Sequence, residues 1–469
     1  LSMTLAWNFY RLYLANPDSE FMCHGPDVFS RGDTMRAVLQ VVAQLEESVS
    51  DGHALLGSST EDPIRRTIQM IAASWAGYQW LLSSTRNAQN TLGCLDIETL
   101  PKPEATTEPT GDKPTYWSAD RSHWTLFSSG STGEPKCIEL TWSQIEASAE
   151  GARERFRMTE EDRWLCVLSL GHIAGASIVA RACVIGHQIA FGGKFDAEQF
   201  HILVEQTRAT VTSLVPTMLS LILKVRDTAP PTLRVVMLGG AASSDEVRRQ
   251  AADWPLWITW GMSETASHVA TSSLSEFYQH GLRPIAGHRL FEAPDGHIGI
   301  EGPVAPGGYW ITSDFGRVTD DGFVSIDGRS DDVVKVSGNR VNLSKVRRAF
   351  AGVLEQAAHI ELFTVPDEVL GVQVVAAVQG VDLQTLQLGD ERFASLEQWE
   401  LPHWLMAMDD LPLTSRYKVD RAELSREWSR RVRDRAHQLS RMQVLPEPAE
   451  TRTTIDSSIH VENQGRVTL

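Results

Sequence analysis

The sequence has no excess of positive charge. Its 469 residues carry 43 Lys and Arg against 60 Asp and Glu, a formal net charge of −17 with His neutral. A chain this acidic lacks the electrostatic footprint of a nucleic-acid binder, and it is not expected to adhere to an anionic membrane. Cysteine is scarce, with five residues at positions 23, 94, 137, 166 and 183. No two have CxxC spacing, the number is odd, and none stands beside a His in a zinc-ligand pattern. Neither a disulfide frame nor a structural metal is therefore expected, and reduced thiols in a cytoplasmic protein are the reading that remains. Long hydrophobic runs are missing too. The apolar stretch 174–185 contains Arg181 and is too short to cross a bilayer. The opening Leu1-Ser2-Met3-Thr4-Leu5 has no basic region of the signal-peptide kind, so no membrane span or secretion is expected.

What is present is an alternation of short apolar runs with helical patterns. Residues 36–49 space their apolar side chains as a helix does, and a strand-like run follows at 53–57. Residues 62–82 open with Asp62-Pro63 and read as one amphipathic helix. Segments 164–170, 188–192, 210–215, 234–240 and 257–260 are short apolar runs ending at small or polar residues, where ligand-binding loops of parallel sheets emerge. This predicts an α/β fold with parallel pairing. Residues 101–120, rich in Pro, Thr and acidic side chains, read as a surface loop. Beyond residue 290 short strands are broken by Gly and Asp, up to a boundary at Gly328–Asp332. A second block of about a hundred residues follows, enough for a domain.

The segment richest in chemistry is Phe127-Ser128-Ser129-Gly130-Ser131-Thr132-Gly133-Glu134-Pro135-Lys136. Backbone N–H groups and hydroxyls in such a loop can wrap an anion, and Lys136 adds a cation. A Walker A loop requires GxxxxGK[ST]. Here Gly130 and Gly133 are three apart and Lys136 follows a proline, so that reading fails.

The string SSGSTGEPK resembles the phosphate loop of the adenylate-forming superfamily, which includes acyl-CoA synthetases, luciferases and peptide-synthetase adenylation domains. Further signatures follow in that family's order, and the resemblance covers residues 30 to 425. Gly239-Gly240-Ala241 is similar to the turn that lies against adenine. Trp260-Gly261-Met262-Ser263-Glu264-Thr265 resembles the motif in which an aromatic stacks on adenine, a hydroxyl meets the α-phosphate and Glu holds Mg²⁺. Thr312-Ser313-Asp314 matches Thr-Gly-Asp, whose Asp accepts from the ribose hydroxyls. Arg329 in Gly328-Arg329-Ser330-Asp331-Asp332 would contact the ribose–phosphate region, with Asp331 as the hinge. Pro412-Leu413-Thr414-Ser415-Arg416-Tyr417-Lys418 resembles Pro-x-Thr-x-x-Gly-Lys and makes Lys418 the catalytic lysine. Ser313, Leu343, Lys345 and Tyr417 depart from the family's residues.

The resemblance implies ATP, Mg²⁺ and a carboxylic acid as reactants, with Lys418, Glu264 and Thr132 catalytic and CoA as the thiol acceptor. It also implies a large multi-layer N-terminal domain with parallel and mixed sheets (1–327), a hinge (328–332) and a small mobile α+β C-terminal domain (333–430), while residues 431–469, polar and aperiodic at their end, read as a tail. A homo-oligomer is compatible with the sequence. His172 occupies the family's position at the edge of acyl and thiol access, although a hydrogen-bonded core His would look the same. Arg181 inside an apolar helix either reaches the surface or meets a buried anion, since an uncompensated charge there is costly. A second substrate carboxylate would suit it. The segment 164–190, together with Gly261-Met262-Ser263-Glu264-Thr265-Ala266-Ser267, is most similar to the o-succinylbenzoate–CoA ligase branch of menaquinone biosynthesis. Two alternatives stay open: activation of another aryl or alkyl acid, for CoA or for a carrier protein, and a nucleotide-binding module without catalysis.

Overall fold

The computed structural model describes residues 4–49, 55–83, 94–100, 113–129, 135–353, 359–367, 370–380, 396–414, 417–433 and 439–441. Gly130, Ser131, Thr132 and Gly133 of the expected phosphate loop lie outside the described residues.

Short apolar runs such as Val235-Val236-Met237-Leu238 are buried along their whole length, which is the signature of a strand covered on both faces. They build an eight-stranded sheet in the order Ala270–Ser273, Leu256–Trp260, Val235–Leu238, Val211–Leu214, Arg163–Cys166, Gln188–Phe191, Glu20–His24 and Asp27–Ser30. The six inner strands pair in parallel and both edge strands antiparallel. All five expected apolar runs are strands of this sheet. A second, five-stranded sheet has the order Leu95–Asp96, Leu55–Gly57, Gln79–Leu82, Ser122–Ser129 and Pro135–Thr141.

One expectation fails in this second sheet. Residues 62–82 are not a single helix. Asp62 caps the helix Pro63–Ala76 by accepting from the N–H groups of Ile64 and Arg65, as the Asp-Pro start predicts. Gly77 then takes a left-handed conformation (φ 84°) that ends it. The apolar residues beyond it form the strand Gln79–Leu82, parallel to Leu55–Gly57 and Ser122–Ser129. A short buried strand has no period that separates it from a buried helix, and the glycine decides.

Four antiparallel strands follow, Arg289–Glu292, His297–Glu301, Tyr309–Val318 and Val324–Arg329. Their register sets Asp314 directly opposite Arg329. Beyond them lie the pair Val333–Val336 and Asn339–Asn342, and a four-stranded sheet of His359–Asp367, Gly371–Gln379, Trp404–Met408 and Leu439–Arg441. Two apolar clusters, one around Phe350 and one around Trp428, belong to this C-terminal part alone. Regular structure continues past residue 430, where a polar tail was expected. The helix Arg421–Arg433 buries Leu424 and Trp428, and Arg431 donates to the Ala407 carbonyl (2.6 Å). Leu439–Arg441 then pairs with Trp404–Met408. Among the described residues no helix is long and apolar enough to cross a membrane. All five cysteines are free.

Candidate functional site

Two loops at the ends of parallel strands and one strand of the antiparallel sheet carry the candidate residues, and a turn from the C-terminal part meets the first loop. After Val235–Leu238 the chain turns through Gly239 and Gly240, the latter at φ 79°. A Cβ on Gly239 would lie 2.2 Å from Thr259 Oγ1, so only glycine fits between these strands. A Cβ on Gly240 would lie 3.9 Å from Lys418 Cε. The structure thus brings Lys418 against the glycine turn from which the sequence separates it widely. The Lys418 side chain is exposed, and its backbone closes a turn with Thr414, whose N–H donates to the Lys418 carbonyl (2.8 Å). Ala241 is exposed beside Gly240.

The second loop follows Leu256–Trp260. A Cβ on Gly261 would lie 2.1 Å from the Ser267 carbonyl oxygen, so the turn closes only on glycine. Ser263 and Glu264 form a half-buried 3₁₀ turn, fixed from behind where Gln144 Nε2 donates to the Glu264 carbonyl (3.0 Å). Ser148 Oγ holds the Ala266 carbonyl in the same way (2.8 Å). The Glu264 carboxylate makes no ion pair among the described residues. A half-exposed carboxylate without an ion pair suits Mg²⁺, which takes one or two carboxylates and completes its shell with phosphate and water oxygens.

The third element is Asp314, 4% exposed. Its Oδ2 accepts from Trp260 Nε1 at 2.7 Å and its Oδ1 from Arg329 Nη1 at 3.2 Å. Burial pushes the Asp314 pKa up, against the pull of Arg329 and the indole. Each carboxylate oxygen keeps a second lone-pair direction for a ligand hydroxyl. The strand's alternation turns Thr312 and Asp314 inward and Ser313 outward, so the departure at 313 does not touch the site. Lys136 stands 5.4 Å over the Trp310 ring in a cation–π contact. Ser128 and Ser129 end the strand that pairs with Pro135–Thr141.

Arg329 also donates to Asp331 (2.8 Å), which is exposed. Its neighbour Asp332, not singled out in the sequence, is the anchored member of the pair. Ser344 Oγ (2.7 Å) and Arg421 Nη1 (2.8 Å) both donate to it. Burial alone would raise its pKa, but the Arg421 guanidinium and the Ser344 hydroxyl outweigh burial and hold the carboxyl below its ordinary value. A depressed folded pKa means stability that is present above the unfolded value, about 3.9, and lost as pH falls through the folded value. Asp332→Asn should therefore cost about 2 kcal/mol at pH 7 in thermal or urea unfolding, and the difference should shrink below about pH 4. A cost that persists unchanged in acid would refute the ionic account.

The helix Ile173–Ile185 packs against the strands Arg163–Cys166 and Gln188–Phe191 of the parallel sheet. Every residue except Ala174 is buried, and His172 takes its N-cap position, half-buried. Arg181 is 1% exposed, so the surface alternative fails. Its guanidinium lies 5.2 Å over Trp164, and burial pushes its pKa down to about 10. Its Nε and Nη2 have no hydrogen-bond partner. His268, which sequence reasoning missed, is wholly buried with neither ring nitrogen partnered. It stacks on Phe156 at 5.7 Å and 9°, and both its burial and the charge of Arg181 hold its pKa well below the ordinary value. His187 Nε2, beside Trp164, is a further unpartnered buried nitrogen. Buried donors without acceptors are costly, and an acceptor brought by a ligand relieves that cost.

Among known proteins, the chain is 27% identical over 342 residues to the 2-succinylbenzoate–CoA ligase of Listeria monocytogenes, covering 67% of this chain and 72% of that protein. The enzyme of the same name from Listeria innocua is 27% identical over 336 residues, covering 66% and 70%. Among solved structures, the Bacillus subtilis o-succinylbenzoate CoA synthetase in complex with its acyl-adenylate superposes with a TM-score of 0.75 at 18% identity, covering 89% of this chain and 97% of that one. ATP-bound MatB from Rhodopseudomonas palustris gives the same TM-score at 18% identity, covering 91% and 99%. These structures share the fold. The AMP-binding enzyme model matches residues 39–294, more than half of the chain and the part that carries the glycine turn, the Trp260–Thr265 motif and Arg181, and the protein belongs to that family.

Proposed function

We propose that this chain is an AMP-forming acid–thiol ligase that activates o-succinylbenzoate with ATP and passes the acyl group to CoA, a step of menaquinone biosynthesis. The observation that carries the reading is Lys418 lying against Gly240, at the strand ends that also hold Trp260, Glu264, Asp314 and Arg329. In the first half-reaction a substrate carboxylate oxygen attacks the α-phosphorus, and the bond from that phosphorus to the bridging oxygen of pyrophosphate breaks. The nucleophile is already anionic, so no general base is required. The protein's task is to stabilise crowded negative charge. Lys418 supplies a cation at that point and Lys136 a second, and the family resemblance assigns the phosphates to the 128–136 string. Trp260 and the Gly239-Gly240-Ala241 turn take the adenine, and Ser263 the α-phosphate. Asp314 and Arg329 take the ribose. Glu264 would hold Mg²⁺, which neutralises phosphate charge when bound. In the second half-reaction the CoA thiol loses its proton to solvent, its sulfur attacks the acyl carbon, the bond from that carbon to the phosphate-bridging oxygen breaks, and AMP leaves with that oxygen and the bonding electron pair.

The division of labour proposed here is a large domain (1–327), a hinge (328–332) about Asp331, and a small domain from 333 that carries Lys418. The separate apolar clusters of the C-terminal part support it. The acid assignment rests on the buried, unpartnered nitrogens of Arg181 and His268, which suit a second carboxylate, and on the names of the Listeria relatives. The family resemblance gives His172 the edge of acyl and thiol access.

Pyrophosphate release over a panel of mono- and dicarboxylic acids, with and without CoA, tests this. An aromatic dicarboxylate should give one equivalent without CoA and multiple turnovers with it. Absence of release with every acid would overturn the reading, and turnover on a phosphopantetheinyl carrier but not on CoA would move the acceptor.

A further inference from the structure

The residue before Lys418 is a tyrosine where the family's motif has glycine, and its backbone explains why glycine is usual there. Tyr417 sits at φ 56°, in the left-handed region that glycine enters freely and a bulky residue enters only when its surroundings hold it. Those surroundings belong to the large N-terminal part of the chain. The Tyr417 hydroxyl donates to the Phe195 carbonyl at 2.9 Å, and its ring meets Phe195 edge-on at 5.0 Å and 79°. Thr217 Oγ1 donates to the Tyr417 carbonyl. The side chain is half-buried against the apolar cluster that underlies the parallel sheet. A glycine would adopt the same backbone conformation without cost, yet it would make neither the hydroxyl bond nor the ring contact.

The consequence follows from where the contacts lie. Phe195 and Thr217 are in loops and helices beside the parallel sheet, whereas Tyr417 and Lys418 share one turn of the C-terminal part. Every one of these contacts forms only while that turn is docked with Lys418 beside Gly240. We propose that Tyr417 is a positioning residue that clamps Lys418 at the Gly240 strand end, biasing the chain toward acyl-adenylate formation and against acyl transfer to the thiol. This rests on the ligase reading above for its two half-reactions, but the clamp itself rests on the contacts.

The test uses the full-length chain with Tyr417→Phe, which keeps the ring contact, and Tyr417→Gly, which removes both. Three quantities are read: single-turnover adenylate formation, acyl transfer to CoA from preformed adenylate, and amide hydrogen exchange around Phe195 without ligands. Adenylate formation should fall about threefold in Tyr417→Phe and about tenfold in Tyr417→Gly, the factors that one hydrogen bond and one aromatic pair supply. Acyl transfer should be unchanged or faster, and protection around Phe195 should drop. Equal losses in both half-reactions, which a merely structural role would give, overturn the proposal. So does unchanged exchange in both variants. If the unmodified chain forms no adenylate from any acid, the ligase reading fails, and the exchange measurement still decides the clamp.

Discussion

Replacing Lys418 with alanine should slow acyl-adenylate formation by about 10²–10³-fold, the loss typical of removing one preorganised donor from developing negative charge. The reaction brings a carboxylate toward a phosphate that already carries charge, so the barrier is dominated by anion crowding rather than by proton transfer. Lys418 delivers its cation at the Gly240 turn, from a side chain that is exposed in this structure. Exposure keeps the expected stability change small, since surface substitutions usually shift stability by only about 0.5 kcal/mol. The melting temperature of Lys418→Ala should therefore match the unmodified chain while single-turnover pyrophosphate release collapses. Acyl transfer from adenylate supplied ready-made should be largely spared, since the crowding has passed. Adenylate formation at the unmodified rate would remove Lys418 from the catalytic role.

The parts of this site that the sequence makes legible are those whose function is written in a few consecutive residues. Gly239-Gly240, Trp260–Thr265, Thr312–Asp314 and Pro412–Lys418 each join backbone demands and chemistry in one short string. The Gly239 and Gly261 contacts show why glycine is needed in two of them, since an added Cβ would meet Thr259 or the Ser267 carbonyl. The relations between strings are not legible in the same way. Asp314 faces Arg329 through strand register, and Asp332 meets Arg421 through packing of the C-terminal part. Arg181 could be read as an expensive charge in an apolar helix, but its burial without a hydrogen-bond partner is set by tertiary packing against Trp164. His268 follows the Trp260–Thr265 motif closely, and the only signal was an additional polar residue entering a buried strand. At Gly77 a continuous apolar run changed from helix to strand, which periodicity alone does not reveal. Tyr417 read as a defect in a motif, because Phe195 and Thr217 come close to it only in three dimensions.

Arg181→Met should produce two effects of opposite sign. The KM for an aromatic dicarboxylate should rise by about 10²–10³-fold, because removing one partner of a buried charge pair costs about 2–5 kcal/mol in binding. A monocarboxylate that lacks the distal group should lose little. The ligand-free protein should instead become more stable. Arg181 is 1% exposed, with Nε and Nη2 unpartnered, and burial pushes its pKa down to about 10. The Trp164 ring returns about 2 kcal/mol of that desolvation through the cation–π contact, which leaves the charge short of compensation. Methionine fills a similar volume with no charge to desolvate, and such replacements of buried ionic groups stabilise by about 1–4 kcal/mol. Urea unfolding without ligand and KM with each class of acid measure the two effects on one variant. A structural arginine would give the reverse pattern, lower stability with an unchanged preference between acids. On the proposed reading the helix holds a cation that weakens the empty protein, and the distal carboxylate of the acid would recover what that charge costs.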